Sequence, residues 1–323
     1  MRRQKPLYLT GLLVIMVLSV VMTGCTTSRE KQEQYKTQGL DALNKGNYKE
    51  AVELFDEALK MSEGTVSDTE IDICYCKAAA QFNANDKEGA IKTYTALVDY
   101  DSKNPYPYFL RGSVYLKSGE KNPAFNDYKE AIKIDEKNYD LYIAIYENLK
   151  AMNFEKEGEE FLNIALEKSG DSAEDCLARG KIYTLMKQYD AARTAFEKAD
   201  EKGAEDAKIY LADLYLEEGN ESKCDEILEG VKKDGNPSAM ACNAIATMEL
   251  KRNNPNEALI FINKGLEKLI TKNKKELLKN RIAATEKLGQ FNEAYQYAVE
   301  YLEEYPQDVD VVRELEFLSS RIM

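Results

Sequence analysis

Residues 108–131 read YFLRGSVYLKSGEKNPAFNDYKEA, and in this stretch bulky and small side chains follow one another at helical spacing. The residues fall into two sets, and within each set neighbouring members are three or four positions apart. Such spacing places each set in one stripe on one face of an α-helix. The first set is Tyr108, Gly112 and Tyr115, and the second is Ala124, Tyr128 and Ala131. Because Gly119 separates the two stripes, the stretch predicts two helices joined by a tight turn.

The small residue of the second stripe recurs along the chain at a spacing close to 34. It occupies positions 51, 90, 124, 158, 192, 224, 258 and 294. A period near 34 is typical of stacked helix-turn-helix units, because each unit buries its apolar face only against its neighbours. We therefore expect eight repeats over residues 32–307 and a capping helix over 308–323. The turns are predicted at Gly46, Asn85, Gly119, Asn153, Gly219, Asn253 and Gly289.

This pattern resembles the tetratricopeptide repeat, which has a bulky and a small residue in its first helix and small, aromatic and small residues in its second. The resemblance implies an all-α, right-handed superhelical solenoid. The first helices would form a concave wall that receives a protein or peptide. Carried over repeat by repeat, the resemblance predicts a groove in repeats two and three, lined by Tyr75, Phe82, Tyr106, Phe109 and Leu116. Further groove positions are Ile143, Leu177 and Ile209. The alternative is that these side chains mainly pack repeats together.

Three positions depart from the repeat pattern. Tyr146 and Ile282 replace the small residue of the first helix in repeats four and eight. Tyr301 replaces the second small residue of the last repeat. Bulky side chains at these positions predict looser or tilted helix contacts.

The N-terminus has the composition of an export signal. Three basic residues precede a largely apolar run over residues 7–22, which is shorter than the ~20 residues of a membrane-spanning helix. The run ends at Thr23, Gly24 and Cys25, which resembles the bacterial lipoprotein signal. The resemblance implies that residues 1–24 are removed and that Cys25 carries the lipid. Residues 25–31 would then form a short tether on the extracytoplasmic face of the cell membrane. An ordinary secreted protein and an uncleaved anchor helix are the alternatives.

Composition argues against most catalytic chemistry. The chain has no histidine, so imidazole bases and histidine metal ligands are excluded. It contains no glycine-rich phosphate loop, nucleophile elbow or calcium loop. We expect no enzyme activity, no metal and no cofactor. A net charge of −13 argues against nucleic acid as a partner, because the phosphate backbone would be repelled. Acidic runs such as residues 155–160 are interpreted as solvated helix faces.

Five further cysteines follow Cys25, and their positions favour packing. They are Cys74, Cys76, Cys176, Cys224 and Cys242. Buried free cysteine behaves as a small apolar residue. A disulfide between Cys224 and Cys242 and a metal site are the alternatives.

Together these features predict a membrane-anchored, non-enzymatic scaffold that binds a protein or peptide in the bacterial cell envelope. A lipoprotein that binds glycan or a cell-wall fragment is the second hypothesis, because tyrosine-rich grooves also stack on sugars. An enzyme with an unrecognised site is the third. A basic stripe at Lys275, Lys279 and Lys287 is interpreted either as a solvated face or as a surface that steers an acidic segment.

Overall fold

In the computed structural model, the described residues are 28–322, except 63, 65, 234, 269–272 and 307. Over this part of the chain the structure contains helices and no strands, so the predicted all-α class is confirmed. The predicted signal peptide and Cys25 lie outside the described residues. None of the described helices is both long enough and apolar enough to cross a bilayer.

The chain divides into two compact bodies, residues 1–134 and 135–323. The described helices of the N-terminal body are α1 (residues 28–44), α2 (Tyr48–Lys60), α3 (Asp68–Asn83), α4 (Lys87–Tyr100), α5 (Pro105–Lys117) and α6 (Lys121–Ile134). Consecutive helices pack in pairs, which gives repeats one to three.

The C-terminal body contains repeats four to eight, followed by one more helix. Its described helices are α7 (Tyr139–Ala151), α8 (Glu155–Lys168), α9 (Ala173–Leu185), α10 (Tyr189–Glu201), α11 (Ala207–Glu217), α12 (Glu221–Lys233), α13 (Ala239–Lys251), α14 (Pro255–Leu266), α15 (Lys274–Lys287), α16 (Phe291–Glu304) and α17 (Val309–Ser319). The helix-turn-helix arrangement predicted from the 34-residue period is therefore confirmed.

In each of the eight pairs, the turn between the two helices contains one residue with positive φ. These residues are Gly46, Asn85, Gly119, Asn153, Lys187, Gly219, Asn253 and Gly289. Glycine and asparagine tolerate the left-handed region, which explains why seven of the eight turns are visible in the sequence. Lys187 is the exception, with a φ of 57°, and its turn has no glycine or asparagine to mark it.

In repeats one and three, a glycine of the first helix lies directly beneath an aromatic ring of the second. A Cβ added to Gly39 would lie 2.7 Å from the Phe55 ring, and one added to Gly112 would lie 3.0 Å from the Tyr128 ring. Both rings are fully buried. Glycine fits these positions because the ring occupies the space that a side chain would need.

In repeat four the large and small residues have exchanged helices. Tyr146 of the first helix is buried, and Gly158 of the second helix packs against it. A Cβ on Gly158 would lie 2.9 Å from the Tyr146 ring and 3.3 Å from the Tyr146 backbone. Gly158 thus provides the space that the Tyr146 ring fills, and a looser or tilted helix contact in this repeat stays a prediction.

The last repeat packs against α17. Ile282 and Tyr301 are buried in one cluster with Val311 and Leu318 of that helix. Asp308 caps the N-terminus of α17, accepting from the Val311 backbone N–H at 3.4 Å.

The Asp308 carboxylate also binds two cations of the predicted basic stripe. Lys279 Nζ lies 2.8 Å and Lys275 Nζ 3.2 Å from its Oδ2, and Tyr301 donates to the same oxygen at 2.7 Å. Two of the three lysines are therefore engaged within the fold.

All five cysteines of the described chain are free thiols. Cys176, Cys224 and Cys242 are buried, which agrees with their interpretation as packing residues, and Cys74 and Cys76 are half-buried. Burial raises the pKa of the Cys224 and Cys242 thiols, which keeps them protonated and poorly reactive.

Candidate functional site

The predicted groove residues of repeats two and three lie on two neighbouring helices of the N-terminal body. Tyr75 and Phe82 belong to α3, and Tyr106 and Phe109 belong to α5. We call these four side chains the aromatic face. Their elements are α3 and α5, the first helices of their repeats.

Side-chain contacts at two levels show that α3 and α5 run alongside each other. At the start of α5, Asn104 donates from Nδ2 to the hydroxyl of Tyr75, in the middle of α3, at 3.4 Å and accepts from the Tyr106 backbone N–H at 3.0 Å. Near their C-termini, the Lys117 ammonium lies 5.2 Å from the centre of the Phe82 ring. Asn104 thus caps α5 and also joins it to α3.

The four side chains differ in how much surface they present. Tyr106 is 52% exposed, whereas Tyr75, Phe82 and Phe109 are half-buried. Leu116, the fifth predicted groove residue, is 2% exposed and belongs to the interior. Leu116 therefore contributes no surface to a groove in this structure.

The half-buried aromatics also pack inside their repeats. The Tyr75 and Tyr94 ring centres are 6.5 Å apart, and those of Phe109 and Tyr128 are 6.0 Å apart. Burial raises the pKa of Tyr75, so its hydroxyl is a neutral hydrogen-bonding group at pH 7. The aromatic face is thus supported from below by the core while Tyr106 extends into solvent.

Arg111 fixes α5 to the helices beneath the aromatic face. Its Nε and Nη2 each donate to the Asp127 carboxylate at 2.8 Å, and Nη1 donates to Thr95 Oγ1 at 3.0 Å. The hydrogen bonds that the guanidinium donates to Asp127 raise its pKa. Bidentate arginine–carboxylate pairs are strong and geometrically specific. This pair was not predicted from the sequence, because Arg111 and Asp127 resemble ordinary surface charges there.

A cavity of about 590 Å³ lies in the C-terminal body, between α11, α12 and α13. We call it the α11–α13 cavity. It includes Ile209, one of the further groove positions, and Cys224, which the sequence predicts as a packing residue, whereas its other residues were missed by sequence reasoning. Its lining includes Asp213, Leu228, Met240, Asn243 and Lys251. The other two further groove positions, Ile143 and Leu177, are half-buried in α7 and α9.

The described residues offer binding chemistry at these two surfaces. No group of three or more cysteine, aspartate or glutamate side chains among them is placed to hold a metal ion. The aromatic face presents ring surface and hydroxyl groups, and the cavity presents carboxylates, an ammonium and amides above an apolar floor.

The sequence profile of the tetratricopeptide repeat matches residues 42–65, 106–138 and 176–201. These segments fall in repeats one, three and five. They are tetratricopeptide repeats, as the spacing of small and aromatic residues predicted. Tetratricopeptide repeats fit a role in protein–protein interaction and are generally found in non-enzymatic scaffolds.

Among curated proteins, the photosystem I assembly protein Ycf3 of Prochlorococcus marinus strain MIT 9211 is 32% identical over 93 residues. The match covers 28% of this chain and 53% of that protein. The homologue from strain NATL2A is 33% identical over the same length. The chain thus spans about half the length of the curated relatives it matches.

Two solved structures are also similar in fold. A tetratricopeptide repeat protein from Parabacteroides merdae has 19% identity and a TM-score of 0.42, covering 78% of this chain and 99% of its own. PilF of Pseudomonas aeruginosa has 17% identity and a TM-score of 0.39, covering 67% of this chain and 97% of its own.

Proposed function

We propose that this protein is a lipid-anchored, non-enzymatic scaffold of the bacterial cell envelope that binds a peptide segment of a partner protein on its aromatic face. The exposed ring of Tyr106, beside three half-buried aromatics on α3 and α5, is the observation that carries the proposal. Aromatic side chains supply a large share of the energy at protein interfaces, especially where neighbouring residues exclude water.

Rigidity of α5 supports this role. Pro105 and Pro107 occupy its first turn, where proline fits without loss of a helical hydrogen bond. The Arg111–Asp127 pair fixes the same helix at its middle. A surface that is already ordered loses little conformational entropy on binding, so more of the contact energy appears as affinity.

The start of the described chain supports the anchoring part of the proposal. Ser28 Oγ donates to the carbonyl of Met61 at 2.8 Å, so the fold includes a residue only three positions after Cys25. Cys25 and Ser28 are three positions apart, so their Cα atoms are separated by at most about 11 Å. A diacylglyceryl group on Cys25 would therefore hold the N-terminal body close to the bilayer, and two acyl chains suffice for stable anchoring.

The binding part is tested by comparing Tyr106→Ala with Tyr100→Ala. Tyr100 ends α4, outside the aromatic face, and is 55% exposed, so the two variants remove similar exposed rings. Proteins from envelope extract are captured on the full chain in detergent micelles and quantified by mass spectrometry. We expect Tyr106→Ala to lose a partner that the wild type and Tyr100→Ala both retain. Equal capture by all three proteins would contradict a partner site at Tyr106.

The anchoring part is tested by Cys25→Ala. We expect the variant to leave the membrane fraction, whereas the wild type remains there and incorporates labelled palmitate. Ser28→Ala, which leaves Cys25 intact, is the control for changes near the N-terminus. Palmitate incorporation by Cys25→Ala would refute lipidation at this residue.

A further inference from the structure

The α11–α13 cavity is formed within the C-terminal body and is independent of the aromatic face. Its volume of about 590 Å³ falls in the range of roughly 300–1,000 Å³ that is typical of small-ligand sites. The cavity has an apolar floor and a charged rim. Ile209, Leu228 and Met240 supply the floor, and the rim contains Asp213, Glu221, Asp225, Lys251 and Arg252.

Two of the five charged rim residues pair with each other. Arg252 Nη2 lies 2.8 Å from Asp225 Oδ2, and its Nη1 lies 2.7 Å from Glu229 Oε1. These contacts occupy the guanidinium, and they neutralise the Asp225 carboxylate. The charge that a ligand meets is therefore set by the remaining three residues.

Among those three, the acids outnumber the base. Asp213, Glu221 and Lys251 make no hydrogen bond or ion pair within the described part of the chain. Although Asp213 is exposed, the surrounding walls displace water from its carboxyl and raise its pKa. The like charge of Glu217 raises it further, and Lys251 opposes both. A cation placed near Asp213 would relieve this unfavourable environment.

A fixed amide lies on the wall beside these charges. Asn280 donates from Nδ2 to Asn243 Oδ1 at 2.9 Å and to Thr247 Oγ1 at 3.1 Å. Thr247 in turn donates to the Asn243 carbonyl at 2.9 Å. These bonds satisfy the amide oxygen of Asn243 and leave its Nδ2 as a hydrogen-bond donor without a partner among the described residues.

We propose that the α11–α13 cavity binds the lysine or arginine side chain of an extended peptide. The cation pairs with Asp213, and the aliphatic stem lies on the Leu228 and Met240 floor. The Asn243 amide donates to a carbonyl of the peptide backbone. Long basic side chains suit such a site because their stems cover apolar surface while their charged ends remain hydrated.

Charge and shape both favour this occupant. The unpaired rim charges favour a cation over an acidic side chain, and the apolar floor favours a cation with a long stem over a small ion. Charge complementarity at such a rim contributes mainly to specificity. The prediction is therefore a preference among otherwise identical peptides.

The test uses three fluorescein-labelled heptapeptides, Gly-Ala-Leu-X-Leu-Ala-Gly, with arginine, glutamine or glutamate at X. Binding to the full chain in detergent micelles is measured by fluorescence anisotropy. We expect the arginine peptide to bind at least fivefold more tightly than the glutamine peptide and the glutamate peptide to bind most weakly. High salt should reduce the difference, because exposed ion pairs are screened.

Two variants in the cavity and two controls elsewhere connect the preference to the cavity. Asp213→Asn is expected to abolish the fivefold preference for arginine. Asp99→Asn removes the same charge from an exposed position on α4, and this variant should retain the preference for arginine. Ala244→Phe, which fills the cavity, should weaken the binding of all three peptides. Tyr106→Ala should leave the order of their affinities unchanged.

Circular dichroism confirms that each variant is folded. Any of three results would overturn the proposal. The three peptides could bind with equal affinity, or the arginine peptide could show no measurable binding. Asp99→Asn could also lose the preference for arginine to the same extent as Asp213→Asn. Because Tyr106→Ala is measured in the same series, failure at this cavity is distinguishable from failure at the aromatic face.

Discussion

Gly180→Ala is expected to destabilise the C-terminal body by about 2 kcal/mol, although alanine is normally the better helix former. Gly180 lies in the middle of α9, beneath the Phe196 ring of α10. An added Cβ would lie 2.8 Å from Phe196 Cζ and closer still to Cδ1 and Cε1. The ring is 1% exposed and stacks on Tyr210 with centres 5.5 Å apart, so it has little room to move.

The magnitude follows from two opposing contributions. Replacing glycine by alanine inside a helix stabilises by about 1 kcal/mol. Overpacking a buried contact costs roughly 1–3 kcal/mol, and the tight fit around Phe196 favours the upper end. The net loss is therefore about 2 kcal/mol.

Gly230→Ala is the matched control. Gly230 also lies inside a helix, α12, but no atom is found within 4 Å of its added Cβ. Only the helix-propensity gain applies there, so this variant should be stabilised by about 1 kcal/mol. The free energies of unfolding of the two variants should thus differ by about 3 kcal/mol, with Gly180→Ala below the wild type and Gly230→Ala above it.

Urea unfolding followed by circular dichroism gives the global stabilities, and hydrogen exchange of α9 and α10 amides gives the local ones. The local measurement matters because repeat proteins often unfold in parts. A second substitution, Phe196→Leu, should recover about 1 kcal/mol of the Gly180→Ala loss by vacating ring space. Gly180→Ala at or above wild-type stability would refute the proposed ring-on-glycine contact.

Three further predictions concern stability. Burial tends to raise the pKa of Glu70, but hydrogen bonds from Ser67 and Gln32 lower it to about 2. The ionised Glu70 carboxylate therefore contributes fully to the free energy of unfolding above about pH 4.5, and this contribution is lost as the pH falls towards 2. It amounts to about 1 kcal/mol after allowance for solvent screening, and acid titration of wild type against Glu70→Gln should show it. Lys187→Asn should stabilise by about 0.5–1 kcal/mol in thermal unfolding, because asparagine tolerates the positive φ better; no gain would contradict strain at this turn. Asp308→Ala should destabilise α17 by about 1–3 kcal/mol, seen as faster hydrogen exchange confined to that helix, because a cap and buried charge contacts are lost; unchanged exchange would count against this role.

The repeat architecture was predictable because its rules are local and periodic. Glycine and asparagine at positive φ mark seven of the eight turns, and the small residue of each second helix marks the spacing. Lys187 was missed because the surrounding helix pair holds its turn in shape, so the turn residue itself carries no signal. Such an exception arises when tertiary packing outweighs local preference.

The candidate sites were less predictable because they depend on which helix face meets solvent. Tyr106 and Leu116 both fit the groove pattern, yet Tyr106 is 52% exposed and Leu116 is interior. The α11–α13 cavity gathers side chains from three helices, and no single motif contains them. The groove and the lipid on Cys25 stay predictions.

The exchange of large and small residues between Tyr146 and Gly158 limits how this repeat can evolve or be redesigned. Replacing Tyr146 alone by glycine would leave a void, and enlarging Gly158 alone would press a side chain into the ring. Either intermediate is penalised, so the two positions are expected to change together. Repeat four is therefore not interchangeable with its neighbours one position at a time, and a chimera must transplant both helices of the pair as a single block.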